Sequence, residues 1–228
     1  MQREQDKANP GSGYVDPFWD ETRAERGDGE LRLEQDILAP LSQSKKLFVF
    51  ETKDFWRQIK SAGSAVPANA LYLQQALQSP STALLTPLTE PSRDGPDIVP
   101  PVYIHPSASV HPTAKIGPNV SISENARVGP GARIKNSIIL SGAEIAPHAV
   151  ILHSIVAWDC RIGAWARVEG IPLGVQEHAG KVIRGGVKVD AATILGREVT
   201  VGEGVVVRNC VVLPNKGINN DVSNEVIM

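Results

Sequence analysis

From Ile104 onward the chain counts in sixes. In "IHPSASVHPTAKIGPNVSISENARVGPGARI" an aliphatic residue returns at Ile104, Val110, Ile116, Ile122, Val128 and Ile134. The second place of a hexad is often small (Gly117, Ser123, Gly129), and the fifth is small or aliphatic (Ala108, Ala114, Val120, Ala126, Ala132). Short strands joined by tight corners need one bulky inward side chain each and little volume where the wall bends, so the pattern predicts a mainly β fold, a parallel β-helix of hexapeptide repeats. The register slips by one after Ile134, resumes at Ile139, Ile145 and Ile151, slips again to Val156, and runs on through Ile162 and Val168. Residues 169–193 have glycine and charge but no period of six, so they must leave the coil as an inserted loop. The repeat then returns as Leu195, Val201, Val207 and Leu213. In such a coil each turn packs on the next, and stability is a sum of neighbour contacts.

Upstream the pattern differs. Residues 1–30 are polar and aperiodic and read as a flexible end. Leu33, Ile37 and Leu41 suit a short helix, "KLFVFE" from Lys46 a buried strand, and "VPANALYLQQAL" a second helix. Residues 31–78 therefore read as a helix, strand, helix fragment, too short for a complete doubly wound α/β domain. Residues 79–101 carry six prolines and form an extended tether, which places the domain boundary just before a β-helix at 102–228.

Charge and composition narrow the function. With 23 basic and 25 acidic residues the net charge is -2, so no global field draws the chain to nucleic acid or an anionic membrane. Lys115, Arg127, Arg133, Arg161 and Arg167 fall at outward sixth positions but are spread over different sides of a three-sided prism. The two cysteines, Cys160 and Cys210, make neither a disulfide framework nor a zinc site. No apolar leader and no run of eighteen apolar residues is present, which predicts a cytoplasmic chain that spans no membrane. His105, His111, His148, His153 and His178 lack a paired carboxylate in sequence and read as corner residues; a catalytic base or metal ligand is the competing reading. Trp158 and Trp165 stand at the third and fourth places of their hexads and should project outward. They predict either packing beneath the amino-terminal segment or a subunit contact.

Several segments together resemble one family: "LRLEQDILAPL", "FWRQIKSAGSAVPANALYL", "VYIHPSASVHPTAKIGPNVSI", "SIVAWDCRIGAWARVEG", "AATILGREVTVGEGVVVRNCVVLPNK" and the terminal "NEVIM". In this order they are similar to the carboxy-terminal half of GDP-mannose pyrophosphorylases (mannose-1-phosphate guanylyltransferases). The resemblance implies a left-handed coil, preceded by an incomplete α/β nucleotidyltransferase remnant. Extended crossovers are otherwise nearly always right-handed. It also implies the chemistry of joining GTP to mannose 1-phosphate, in which a divalent metal and basic groups neutralise charge at the attacked phosphorus.

Two departures qualify that chemistry. The family's Gly-rich phosphate loop, G-x-G-x-R-L, has no counterpart here, and "NPGSGYVDP" lacks both its Arg and a preceding strand. The family segment F-W-x-D-I-G, whose Asp helps hold the metal, reads Phe55-Trp56-Arg57-Gln58-Ile59-Lys60. A neutral amide at Gln58 is a poor ligand for a hard cation, and Lys60 in place of Gly adds positive charge. This form resembles the alpha, or regulatory, type of subunit. It implies a truncated chain with no catalytic or metal residue of its own and a catalytic beta-type subunit as partner in a homo- or hetero-oligomer. Magnesium is expected in the partner, and GDP-mannose or GTP is implied as a ligand of the full-length form. Trp158, Trp165, Arg167 and His178 are the interface candidates, together with the insertion 169–193. A hexapeptide acyltransferase and a non-catalytic assembly subunit of the exchange-factor type remain as alternatives.

Overall fold

The computed structural model describes residues 32–53, 55–78, 93–172, 181–184, 187–190 and 192–228. The expected flexible end and residues 79–92 of the expected tether lie outside them. The chain divides into two compact units, 1–54 and 55–228.

In the first unit the predicted short helix forms, as a wide first turn at Leu33–Leu38 that tightens into α1 (Ala39–Gln43). The Asp36 carboxylate accepts the backbone N–H of Arg32 at 2.7 Å, satisfying one orphan donor of the helix start. Pro40 lies in the first turn of α1, where its missing N–H costs nothing. The strand predicted at Lys46–Glu51 does not form: the segment is irregular, and Phe48, Val49 and Phe50 are 88%, 90% and 91% exposed. A strand is stable only where a neighbour takes its backbone hydrogen bonds, and no described sheet offers an edge to this one. The expected helix, strand, helix fragment is therefore not what the structure shows.

The second unit holds the predicted second helix, α2 (Ala65–Gln78), and the β-helix, a solenoid of short parallel strands. One face stacks Asp97–Ile98, Lys115–Ile116, Arg133–Lys135, Val150–Leu152, Arg167–Glu169, Val206–Arg208 and Val222–Ser223. The second runs from Val102–Ile104 to Val226–Ile227, and the third from Ser109–Val110 to Gly217–Ile218. The coil thus begins at Asp97, inside the stretch expected as tether. Pairing puts like positions in columns, Ile116 on Ile134, Ile134 on Ile151 and Ile151 on Val168. Both inward places of the hexad are filled as the pattern requires: Ile122, Ile139, Val156 and Leu195 are buried at the first, and Ala114, Ala132, Ala149 and Ala166 at the fifth.

One inward assignment is corrected. After Val207 the register slips once more, so Val212 and Ile218 enter the core while Leu213 is exposed. Four one-residue slips, the last between Val222 and Ile227, occur at the same edge, between the first and second faces, where Asn136, His153, Asn209 and Asn224 adopt left-handed backbone (φ 47°, 49°, 53° and 61°). Amides stack along this edge: Asn119 Nδ2 donates to Asn136 Oδ1 at 3.0 Å, and Asn209 Nδ2 to Asn224 Oδ1 at 3.1 Å.

The inserted segment leaves from the same edge. Leu152 pairs with Glu169, and Ser154 pairs with Thr193. Two residues of advance in one coil correspond to 24 in the next, so the excess is 22 residues. Within it Lys181–Arg184 and Val187–Asp190 pair as an antiparallel hairpin, regular structure that the lack of a six-residue period did not predict.

Helix α2 packs on the second face. Val66 joins Ile155 and Ala192 in a small apolar cluster, Leu73 is buried, and the Ser121 hydroxyl donates to Asn69 Oδ1 at 2.6 Å. Asn119-Val120-Ser121 has the Asn-x-Ser form of a glycosylation acceptor, but its polar groups are taken up by structure, the Asn119 amide in the corner ladder and the Ser121 hydroxyl bonded to α2.

Candidate interaction surface

The two tryptophans project outward, as their hexad places require, and are 51% (Trp158) and 65% (Trp165) exposed. They do not come together. Trp158 sits at the corner between the second and third faces, beside Asp159, while Trp165 sits at the corner between the third and first faces. Trp165 stacks on His148, with ring centroids 4.2 Å apart and planes 18° from parallel. Both residues hold left-handed backbone, φ 61° and 62°. Gly131, one coil below, makes the stack possible: a Cβ there would lie 2.4 Å from His148 Nδ1. Spacing alone carried that signal, since 131, 148 and 165 are each 17 apart, but the six-residue reading did not use it.

Between the two aromatic edges, the third face presents Arg127, Glu144 and Arg161 in one column. Glu144 pairs with Arg127 and lies 3.9 Å from Arg161. On the first face Arg167 pairs with Glu169 at 2.5 Å, and Arg208 reaches the same carboxylate at 3.2 Å. Burial alone would push the Glu169 carboxyl up, but hydrogen bonds from Arg167 and Arg208 outweigh it and hold the group below the usual carboxylate range. Lys115 is likewise matched by Asp97 at 3.1 Å. Lys115, Arg127, Arg161, Arg167 and Arg208 thus have acidic neighbours, a mixed pattern suited to a protein surface rather than to a phosphate backbone.

The histidines serve local roles. His105 Nδ1 bonds the Ser107 hydroxyl at 2.8 Å, and His111 Nδ1 the Thr113 hydroxyl at 3.0 Å, each tying its own corner. His105 also faces Glu124 at 3.8 Å, a carboxylate one coil away that sequence order concealed. His153 occupies a rung of the amide ladder beside Asn136 at 3.5 Å, and borders a cleft of about 180 Å³ against Val66 and Pro67 of α2. Burial lowers its pKa, and the charge of Lys135 lowers it further. His178 lies outside the described residues.

Gln58 and Lys60 lie in an irregular, exposed stretch ahead of α2. A neutral amide and an ammonium supply no anionic oxygen, so these residues do not fit a hard divalent cation, and no chemistry is routed through one here. Among the described residues no cluster of three His, Cys, Asp or Glu side chains could hold a metal ion. Cys160 and Cys210 are buried and separate; burial is the main cause raising the Cys160 thiol pKa, and its Sγ donates to the Gly196 carbonyl. No described helix is long and apolar enough to cross a membrane.

Fold and surface define a class: a hexapeptide-type parallel β-solenoid whose outer faces carry paired charges and whose corners carry exposed indoles. Residues 98–228 match the family described as the GMPPB C-terminal domain, and the chain belongs to that family. It is 48% identical over 200 residues to a probable mannose-1-phosphate guanyltransferase of Schizosaccharomyces pombe, covering 87% of this chain and 47% of that protein. It is also 48% identical over 206 residues to mannose-1-phosphate guanylyltransferase regulatory subunit alpha-B of Danio rerio, covering 87% and 48%. The chain thus spans about half the length of the curated relatives it matches. Among solved structures, a GDP-perosamine N-acetyl transferase from Caulobacter crescentus aligns with 54% of this chain and 50% of its own at 20% identity and a TM-score of 0.36. A likeness of that size carries no argument for acyl transfer.

Proposed function

We propose that this chain is an alpha-type, regulatory or assembly chain of a mannose-1-phosphate guanylyltransferase, acting in the cytoplasm in the supply of GDP-mannose from GTP and mannose 1-phosphate. The observation that carries the reading is the 48% identity over 206 residues to a protein named as a regulatory alpha subunit of that enzyme. The chemistry of Gln58 and Lys60 agrees with a chain that does not itself hold the catalytic metal. In this reading the phosphoryl chemistry, with its divalent magnesium, belongs to a catalytic beta-type partner. The solenoid supplies a rigid wall, and the indole-bearing edges and the insertion at 169–193 meet that partner. Sugar nucleotide binding is assigned to a longer form of the chain.

The test is reconstitution. The purified chain is assayed with GTP, mannose 1-phosphate and magnesium, alone and with a purified beta-type subunit. The expected outcome is no guanylyl transfer alone, a stable complex, and a changed rate in that complex. Turnover by the chain alone, or failure to form a complex, overturns the proposal.

A further inference from the structure

Where the first face turns into the second, three successive coils place a hydrogen-bonding side chain on the same rung. Asn119, Asn136 and His153 all hold left-handed backbone (φ 58°, 47° and 49°), and their backbone N–H groups donate to the carbonyls of Pro101, Pro118 and Lys135 in the coil below. The main chain is thus pinned, and what remains free is the sense of the side-chain bonds. Asn119 Nδ2 donates to Asn136 Oδ1 at 3.0 Å, and Asn136 Nδ2 lies 3.5 Å from His153 Nδ1. The far end is open: Asn119 Oδ1 is buried without a hydrogen-bond partner among the described residues.

An amide has a donor end and an acceptor end, so such a ladder can run in two senses. A neutral imidazole accommodates either, because its Nδ1 accepts in one tautomer and donates in the other. An imidazolium does not, since both of its ring nitrogens donate. With Asn136 Nδ2 turned toward it, a protonated His153 would set two N–H groups against each other. Asn136 must then offer its Oδ1 to the ring, which carries its Nδ2 round to Asn119, and Asn119 must turn in its place to accept. The turned ladder leaves a buried donor unpaired at Asn119 in exchange for a buried acceptor. Charges near the ring do not favour the cation: burial lowers its pKa first, and Lys135 lowers it further. The Glu169 carboxylate, one coil on, is held by Arg167 and Arg208. Among the described residues, Val66, Pro67 and Ala70 of α2 and Ile171 and Ala192 of the insertion's roots wall the cleft beside His153, and none carries a charge.

We infer that Asn119, Asn136 and His153 form a two-sense relay, in which one proton on His153 turns both amides together and so reports at Asn119, two coils away. The switch sits at the root of the insertion, because Ile171 and Ala192, which bound the 22-residue excess, share the cleft with His153. It goes beyond the proposed function and does not depend on it, since every bond of the relay is made within the solenoid wall, whatever its outer faces meet.

Side-chain NMR of the full chain between about pH 7.5 and pH 5 tests it, with His153→Asn and Asn119→Asp alongside. Asn and Asp both tolerate left-handed backbone, and circular dichroism confirms that the variants keep the wild-type fold. In wild type the neutral imidazole should carry its proton on Nε2 and gain the second below pH 6.5. The NH2 resonances of Asn136 and Asn119 should shift with that same midpoint, and in His153→Asn neither should titrate. Asn119→Asp sets an acceptor-only carboxylate at the far end, which holds Asn136 Nδ2 toward it and Oδ1 toward the ring. Neutral His153 should then change to the Nδ1–H tautomer, and its midpoint should rise. A negative charge acting only through space raises the midpoint but leaves the tautomer as it was. Asn119 resonances that do not follow His153, a wild-type ring already protonated on Nδ1 when neutral, an unchanged tautomer in Asn119→Asp, or a His153 that stays neutral until the chain unfolds each overturns the inference.

Discussion

Trp165 is held in left-handed backbone, where a β-carbon crowds the following carbonyl at a cost of about 1–2 kcal/mol per residue. Stacking on His148 offsets part of that cost, an aromatic pair being worth about 0.5–1.5 kcal/mol beyond the area it buries. Replacement by Ala should therefore lose the stack and keep the strain, whereas Trp165→Gly loses the stack and relieves the strain. Urea unfolding should place the Gly variant about 1 kcal/mol above the Ala variant, an inversion of the usual order for these two residues. His153 makes a prediction of a different kind. Its pKa is lowered in the folded chain from 6.5, so the unfolded state binds the proton more readily. Its contribution to stability is complete above the unfolded value and is lost as pH falls below it toward the folded one. Asn fits the same rung, since Asn136 and Asn209 already adopt this backbone there. His153→Asn should flatten the fall in urea midpoint between about pH 7 and pH 5 that wild type shows. Neither effect was readable from the period of six, which marks what faces inward. Asn and Gly at corners announce left-handed turns, but His148, His153 and Trp165 occupy the same backbone with side chains that do not.

Among the elements, the solenoid strands were nearly all readable because a buried aliphatic residue every six places has no other simple explanation. The exception is instructive: Val211 and Val212 are adjacent, and it is the pairing of Val212 with Leu195 in the preceding coil that puts Val212 in the core and leaves Leu213 outside. Helix α2 was readable from its composition, but its place was not. Its attachment rests on Leu73, Val66 and the bond from Ser121 to Asn69, contacts 52 residues apart in the last case. Leu73→Ala should cost about 2–5 kcal/mol, within the range for buried leucine, and calorimetry should show a lowered transition temperature for the helix and the face beneath it. Ile151→Ala should cost a comparable amount, since Ile151 lies in a column between Ile134 and Val168. The misread element is "KLFVFE". Its composition specifies a strand, but a strand needs a neighbour, and composition does not say whether that neighbour lies in the same chain.

For the molecule as a whole, the stacked coils behave as a chain of nearest neighbours, so an excision that leaves the stacking intact should leave the fold intact. Deleting residues 171–192 removes the 22-residue excess and leaves Gly170 alone between Glu169 and Thr193, matching His153 between Leu152 and Ser154. The shortened chain should keep its circular dichroism spectrum and melt within a few degrees of wild type, about the shift that 1 kcal/mol produces in a domain this size. If the insertion meets the catalytic partner as proposed, the same deletion should abolish the rate change in the reconstituted complex without abolishing the fold. The candidate surface was only half visible in the sequence. Outward indoles at Trp158 and Trp165 followed from hexad position, but the Arg167, Glu169 and Arg208 cluster depends on two residues that are 39 apart and become neighbours only once the excess is looped out.

The edge between the first and second faces absorbs most of the irregularity in the count: four one-residue slips and the 22-residue excess fall there, and the only other shortened step lies in the last coil, from Ile218 to Val222. It works as an expansion joint. Length can be added or taken away at Asn136, Gly170 or Asn209 without moving a single inward side chain, so a foreign peptide grafted at any of these points would stand clear of an undisturbed wall. A solenoid with one such seam is a ready-made rack, on which loops of different length can be changed independently and always emerge on the same side.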